Sequence, residues 1–538
     1  MGQTSSHDML KQATARSESR IGKIAISGRY HRFPKRLEDD YQIEKKVLGS
    51  GYNGSVIQAK SIQTGLQYAV KGFKLHGVTK AKQQELEAEC EIFLGMDHPH
   101  VARLVDVYES EEKLDLVMEC MTGGELFKRV SERKRFSEKD GAEATYQMLL
   151  AVKYIHTHNV VHRDIKLENF LYESEKSNHL KLIDFGFSKL WKKNTKMELS
   201  CGTLAYVAPE VIDQSYTSQC DMWSLGVTVF ILLFGYMPFS GSEDQQIRNI
   251  KAGKYTVKQD IMNKVSQEAQ DFVKSLLVVT PANRMTPDMA LEHAWIVTRT
   301  GTAEGRQDSS VDLQTVNALV AFGQASLFKR AAMNMMAWSL TNEERSKVRQ
   351  AFLDMDVNRT GTISIQEFKK VVEDQFHISD EAALQAFQAL DSNHTDEIQY
   401  SEFLAAMVSS RIAVHDNLLR KTFNRFDTDN SGFITKDNLR EVLGDAFEAK
   451  EIDKIISEVD ESQDGKISYQ EFIEYVKGES AAPHHTEGAI RLIENAISQG
   501  DGPAEKKMRQ KSNPGDAGGK GQGGPPTAPP QKGCCCLL

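Results

Sequence analysis

The sequence lacks the features that would mark a secreted or membrane-spanning chain. Its seven cysteines form no disulfide framework: Cys90, Cys120, Cys201 and Cys220 are scattered, Cys534, Cys535 and Cys536 are consecutive, and no CxxC pair points to zinc. The opening MGQTSSHDML has no apolar core of a secretory signal. The longest apolar run, Val227–Phe234 beside Gly226 and Gly235, is too short for a bilayer span and fits a buried helix. These absences predict a protein of a reducing, intracellular compartment. A strong overall charge bias is missing too, with 66 basic against 75 acidic residues and a net charge of −9. The excess is local: residues 341–480 carry about −13, leaving the remainder slightly basic. Acidity confined to one region and spaced at regular intervals points to cation ligands, and no nucleic-acid partner is expected. At 538 residues the chain has room for two or three domains.

The stretch from Val311 to Leu340 has no proline and a single glycine, Gly323, which allows one helix or two. On a helical wheel Leu313, Val316, Val320, Leu327, Phe328, Ala331, Met335 and Trp338 share one apolar face. Leu319, Phe322, Met333, Met336 and Leu340 form a second on roughly the opposite side. A helix apolar on both sides needs two partners, together or in turn. An ordinary helix buried between fixed domains is the alternative reading.

Before this stretch lies a series of loop motifs. Leu48, Gly49, Ser50, Gly51, Gly54 and Val56 belong to a GxGxxGxV run between strand-like segments, where glycines let backbone close over phosphates. Tyr68-Ala69-Val70-Lys71 ends a β-rich run in a lysine that can neutralise phosphate oxygens. A buried lysine needs a carboxylate to hold it, and Glu89, in a helical-looking segment, is the candidate. Then come His162-Arg163-Asp164-Ile165-Lys166-Leu167-Glu168-Asn169, Asp184-Phe185-Gly186 and Ala208-Pro209-Glu210. Six elements in this order form the protein-kinase signature set. Residues 41–296 resemble a eukaryotic-type serine/threonine kinase, with Asp221-Met222-Trp223-Ser224-Leu225-Gly226 and Arg284 also matching. The resemblance implies a catalytic base at Asp164, a lysine meeting the γ-phosphate at Lys166, and Mg2+ held by Asn169 and Asp184. It places Lys71 on the α- and β-phosphates, Met118 behind the adenine, and Glu119 and Cys120 in the hinge. Glu125 and Glu168 fall where related kinases read basic residues in protein substrates. Leu167 departs from the usual proline. The commonly phosphorylated threonine position holds Leu199 beside Glu198, which predicts a loop that needs no phosphorylation; Thr195, Ser200 and Thr203 leave the alternative open.

After the junction, four loops built on the pattern D-x-[DN]-x-[DN]-G-x₅-E, with substitutions, recur about every 33–36 residues, starting at Asp356, Asp391, Asp427 and Asp460. Its oxygen ligands come from positions 1, 3, 5, 7, 9 and 12, position 7 through the backbone. The first loop offers Asp356, Asn358, Thr360, Thr362 and Glu367, and the fourth Asp460, Ser462, Asp464, Lys466 and Glu471. The second offers Asp391, Asn393, Thr395, Glu397 and Glu402 but has Asp396 at the glycine position, which weakens it. The third offers Asp427, Asp429, Ser431 and Phe433 but ends in Asn438, one uncharged oxygen where glutamate would bind twice. It is predicted to be the weakest. An isoleucine at position 8 of every loop (Ile363, Ile398, Ile434, Ile467) predicts loops paired through short strands.

Kinase, junction and four EF-hand loops together resemble the calcium-dependent protein kinases of plants and apicomplexan-type protists, over 41–478. The resemblance implies an α+β multidomain chain: a bilobal kinase fold followed by an all-α, calmodulin-like domain of four EF-hands. Its domains would be an arm (1–40), the kinase (41–296), an autoregulatory junction (297–340), EF-hands (341–478) and a tail (479–538). The junction would inhibit at low calcium, and EF-hands opened by up to four Ca2+ would capture it. Lys329-Arg330 could mimic a basic substrate. ATP, protein substrates with basic residues near the target Ser/Thr, and a monomeric state are expected, with a calcium-sensing scaffold or a constitutive kinase as alternatives.

Both termini carry lipidation patterns. Gly2 with Ser6 fits N-myristoylation, and the arm's basic residues, Arg16, Arg20, Lys23, Arg29, Arg32, Lys35 and Arg36 among them, favour an anionic membrane; a solvated arm is the alternative. Cys535-Cys536-Leu537-Leu538 fits geranylgeranylation at Cys535, with Cys534 open to palmitate. One myristate binds membranes only marginally, so two anchors predict the cytosolic face of a membrane, the plasma membrane first.

Overall fold

A computed structural model describes residues 14–18, 21–51, 54–75, 77–186, 188–190, 197, 204–301, 311–376, 378–408, 410–444 and 449–478. Gly2, Cys534, Cys535 and the 195–203 phosphorylation candidates lie outside them.

The first lobe is a six-stranded sheet in the order β1-β5-β6-β4-β3-β2. Its strands are β1 (Tyr30–Arg32), β2 (Tyr41–Gly51), β3 (Gly54–Ser61), β4 (Gln67–Lys74), β5 (Leu104–Glu109) and β6 (Lys113–Glu119). β1 pairs in parallel with β5, and the other pairings are antiparallel. A short helix of the N-terminal arm, α1 (Lys23–Ser27), leads into β1. Against the sheet lies α2 (Lys80–Leu94), started by Thr79, whose hydroxyl accepts from the amide of Lys82. The second lobe is helical, built on α3 (Glu138–Thr157) and α4 (Gln219–Phe234). From Cys220 onward every residue of α4 is buried, which accounts for the apolar run, and Gly235 closes the helix with φ 76°.

The junction is two helices. α5 (Leu313–Gln324) is capped by Asp312, and α6 (Leu327–Ala337) by Ser326, whose hydroxyl accepts from the amide of Lys329. Ala325 is extended (ψ 152°), so the helical phase is lost there. The break resets the phase between the two helices, and residues of both expected faces are buried. Val316, Leu319, Val320, Phe322, Phe328, Ala331, Met333, Met335, Met336 and Leu340 all join one core with the sensor helices. Leu313 is instead 43% exposed, and Trp338 joins the kinase core.

After a short helix at Asn342–Ser346, the EF-hands are built from α7 (Arg349–Met355), α8 (Ile365–Phe376), α9 (Asp380–Leu390), α10 (Tyr400–Met407), α11 (Asp416–Phe426), α12 (Lys436–Leu443), α13 (Ala449–Val459) and α14 (Tyr469–Lys477). Two-residue antiparallel ladders join the loops in pairs, Ile363 opposite Ile398 and Ile434 opposite Ile467, as the position-8 isoleucines predict. α5 packs on α9 and α10, and α6 on α10 and α11. At the closest approach Gly323 meets Ala386, where a Cβ would stand 2.9 Å from Cα. No helix among the described residues is long and apolar enough to cross a membrane.

The arm is not simply a solvated basic segment. Arg29 is fully buried, Arg16 pairs with Glu91, Arg32 lies 3.5 Å from Glu109, and Lys35 lies 3.2 Å from Asp40. Ile21, Ala25 and Ile26 enter the kinase core. These four cations are engaged by the protein itself, with Arg16 and Arg32 still partly exposed.

Candidate active site and calcium loops

β4 delivers Lys71 and α2 delivers Glu89 to the same place. Lys71 Nζ lies 2.6 Å from Glu89 Oε1 and 2.9 Å from Asp184 Oδ1. Burial works against the ammonium, yet the two carboxylates hold Lys71 above its ordinary pKa; burial likewise opposes ionisation of Asp184, which Lys71 nevertheless holds down. Asp184 takes a left-handed backbone (φ 59°) and accepts from the amide of Gly186 at 3.2 Å. Phe185 then packs between Phe93 of α2 and His162, with ring centroids 5.3 Å away on each side. One apolar contact thus ties helix α2 to the catalytic loop.

In that loop Lys166 Nζ sits 2.6 Å from Asp164 Oδ2, and Asn169 Nδ2 donates to the same oxygen at 3.0 Å and to Asp164 O at 2.7 Å. The loop bends through Arg163 (φ 66°) and is held from beneath by Asp221, which accepts from the amides of His162 at 2.9 Å and Arg163 at 2.8 Å. Buried Arg284 grips Glu210 with two bonds of 2.6 and 3.0 Å, fixing the far end of the 187–207 segment. Leu48, Gly49, Gly54 and Val56 lie on the β2–β3 hairpin, with Gly54 at φ 134°; Ser50 and Gly51 are on the same strand. Met118 pairs with Ala69 across the sheet, next to Glu119. Cys120 follows, its thiol pushed up by burial.

The residues that the sequence assigned to phosphate, metal and proton are therefore brought together. Asn169 spends its amide nitrogen on Asp164, so its oxygen is the atom offered to a cation alongside the Asp184 carboxylate. That donor set fits Mg2+, which when bound supplies charge neutralisation at the phosphates. The chain's own part is positional: Asn169 and Lys166 hold Asp164 at a fixed point, an arrangement that would suit a base for the hydroxyl proton, and Glu89 aims Lys71.

The calcium loops are preformed. In the first, Asp356 accepts from the amides of Thr360 and Gly361, and Glu367 from those of Asn358 and Ser364. The fourth repeats this: Asp460 accepts from Asp464 and Gly465, Glu471 from Ser462 and Ser468. In the second, Asp391 and Glu402 do the same, and Asp396 adopts the left-handed backbone (φ 61°) that the glycine position demands. In the third, Asn438 donates Nδ2 to Thr428 at 2.9 Å and accepts from Thr435 at 2.9 Å, so its amide is committed within the loop. Burial pushes Asp356 up to about 7 and Glu402 up to about 8. Carboxyls raised by burial are what a dication would relieve, and the donor chemistry fits Ca2+. Asn393, Thr395, Glu397, Asp429, Ser431, Phe433, Thr362 and Lys466 all occupy their loop positions.

Comparison with known proteins agrees with this geometry. The chain matches the protein kinase domain over residues 41–296 and the EF-hand domain pair over 345–408 and 416–477. It is 34% identical to calcium-dependent protein kinase 4 of Plasmodium falciparum, over 79% of this chain and 84% of that protein. It is 33% identical to calcium-dependent protein kinase 7 of Arabidopsis thaliana, over 81% of this chain and 82% of that one. The chain belongs to the calcium-dependent protein kinases. It is a calcium-activated serine/threonine kinase that uses ATP and protein substrates.

Sequence reasoning missed how this calcium-dependent kinase attaches its sensor. Arg345, just before α7, ion-pairs with Glu119 at the end of β6, which Lys181 holds from the other side at 2.7 Å. Burial opposes the charge, but Arg345 and Lys181 hold Glu119 down at about 2. Arg349 meets Glu173 at 2.6 Å, and Arg425 meets Asp106 at 2.9 Å. The partners are separated by 176 to 319 residues, and no local signal joins them.

Proposed function

We propose that the junction is the switch: at low calcium it holds the kinase inactive, and calcium-loaded EF-hands capture it in the arrangement described here. The observation that carries this reading is Phe328. It lies within 5.5–6.1 Å, ring to ring, of Phe426, Phe472 and Tyr475, while the Lys71–Glu89 pair is closed. Junction capture and an assembled cleft occur in one conformation. Moving such a switch from 1:99 to 99:1 takes about 5.5 kcal/mol of differential calcium binding, within reach of two or more coupled sites. Loops 1 and 4 would carry most of it, with loops 2 and 3 weaker. Phosphate transfer from Mg-ATP to a basic serine peptide tests the proposal, with free calcium and then with chelator. Equal activity in both conditions would leave a constitutive kinase with structural EF-hands.

Basic residues near the target Ser/Thr would be read by Glu125 and Glu168: burial, then the neighbouring Glu168, pushes the Glu125 carboxyl up, as two carboxylates awaiting a cation do. Myristate at Gly2 and a prenyl group at Cys535, with palmitate at Cys534, would hold a monomeric kinase on the cytosolic face of a membrane. Flotation with liposomes of lipidated protein, against Gly2→Ala and Cys535→Ser, reads each anchor separately.

A further inference from the structure

Two arginines of the N-terminal arm grip α2, the helix that carries Glu89. Arg16 Nη2 lies 2.6 Å from Glu91 Oε2 and 3.3 Å from Glu87 Oε1, and the neighbouring Ser17 hydroxyl donates to the Glu91 carbonyl at 3.2 Å. Glu91 is 3% exposed and stands two residues past Glu89. The second grip is at the end of the helix, where the last carbonyls have no partner of their own. Arg29 donates to Leu94 O at 3.2 Å and to Leu104 O, at the start of β5, at 2.7 Å. A cation there also suits the helix dipole.

Arg29 makes another contact with its flat face. Trp338, the residue that ends α6, lies with its ring 3.5 Å from the Arg29 guanidinium and 4.2 Å from that of Arg103. Arg103 also donates to Ala337 O at 2.7 Å. Burial pushes Arg29 down to about 9 and Arg103 down to about 10, and an indole face is a partner that suits such desolvated cations. Between the two grips, α1 packs on α6 and on α12 of the third EF-hand. The arm therefore touches the catalytic helix, the junction and the sensor.

We propose that the arm is a positioning element of the kinase: Arg16 and Arg29 hold α2, and with it Glu89 against Lys71, and Arg29 makes that hold depend on where the junction leaves Trp338. None of these residues touches ATP or substrate. The inference rests on the junction acting as the switch, and it gives that switch a physical route to the catalytic lysine.

The test uses the full chain at saturating calcium. Arg16 is half-exposed, so Arg16→Glu leaves the fold intact while setting a third carboxylate against Glu87 and Glu91. The expected result is about a three- to tenfold lower kcat, with little change in peptide KM, and faster amide exchange across residues 80–94. The charge swap Arg16→Glu with Glu91→Arg restores both to within about twofold, which loss of fold would not permit. Trp338→Leu, with the Arg16 contact untouched, gives the same faster exchange in 80–94 and erases the calcium dependence of that exchange. Unchanged exchange and kcat in Arg16→Glu, or a swap that restores neither, would overturn the proposal. Amide exchange needs no catalysis, so a failure of the junction switch itself shows separately, as calcium-independent exchange in the unsubstituted chain.

Discussion

The two EF-hand pairs share a loop plan and differ in how closely their loops meet the kinase. Each has one loop that keeps the glycine and the final glutamate and one that loses one of them. Yet the first pair is pressed against the kinase. Gly361 of loop 1 sits where a Cβ would come within 2.4 Å of Tyr154, Lys153 donates to Asn358 O at 2.6 Å, and the amide of Ser401 donates to Asp97 at 2.6 Å. In the second pair Gly432 and Gly465 face open space. That pair reaches the kinase through Arg425 on Asp106 and closes on the second junction helix through the aromatic cage around Phe328 and the bond between Ser326 and Tyr475, while the first pair packs on both junction helices. The same contrast shows in the glutamates: burial pushes Glu402 up to about 8, while Glu471, against a lesser burial effect, is held down at about 2 by bonds from Ser468 and Ser462. One motif reports calcium to two different listeners, and context decides which.

The contrast can be broken first at the cleft both pairs serve. Asp164→Asn is expected to lower kcat by about 10²–10⁴, measured on a serine peptide, while calcium binding by calorimetry stays unchanged. Next comes the cage. Phe328→Asp places a charge in the sensor core and is expected to lower maximal calcium-stimulated activity at least about tenfold, with the loss in junction capture visible as protease sensitivity of 311–340. The comparison itself is sharpened by a pair of variants. Glu367→Gln and Glu471→Gln remove the same carboxylate; the first should raise the calcium needed for half-maximal activity about tenfold, and the second should raise it less, since only loop 1 abuts the kinase. Arg345→Ala leaves Glu119 buried with one cation fewer and is expected to raise KM for ATP by about two- to fivefold. The smallest change is a gain. Asn438→Glu restores a bidentate carboxylate to loop 3 and should tighten that site, read by calcium titration, with little effect on maximal rate.

Much of this was legible in the chain. Every residue with a chemical role at the cleft belongs to a short motif, because phosphate, metal and proton must be met by particular atoms at fixed spacing. The loops were legible for the same reason, down to the left-handed Asp396. The junction was half legible. Its apolar content was plain, but Ser326 breaks the helix by capping α6, and a wheel drawn through that break places Phe328 and Phe322 on opposite faces when they share one core. The attachment of sensor to kinase was not legible at all. Arg345, Arg349 and Arg425 look like surface residues, yet Arg345 and Arg425 are buried and Arg349 half-buried, each against a carboxylate 176 to 319 residues away. Arg29 shows the same limit: in a basic arm it resembles any membrane-seeking cation.

The pairing of Arg345 with Glu119 joins the calcium sensor to the strand end from which adenine is held. Energetic coupling of this kind runs in both directions. If a loaded sensor steadies the hinge, then nucleotide in the cleft steadies the sensor by the same factor. On that premise nucleotide in the cleft would lower the calcium needed to wake the enzyme, and a competitive inhibitor of the ATP site would act as a calcium sensitiser even while it silences the kinase.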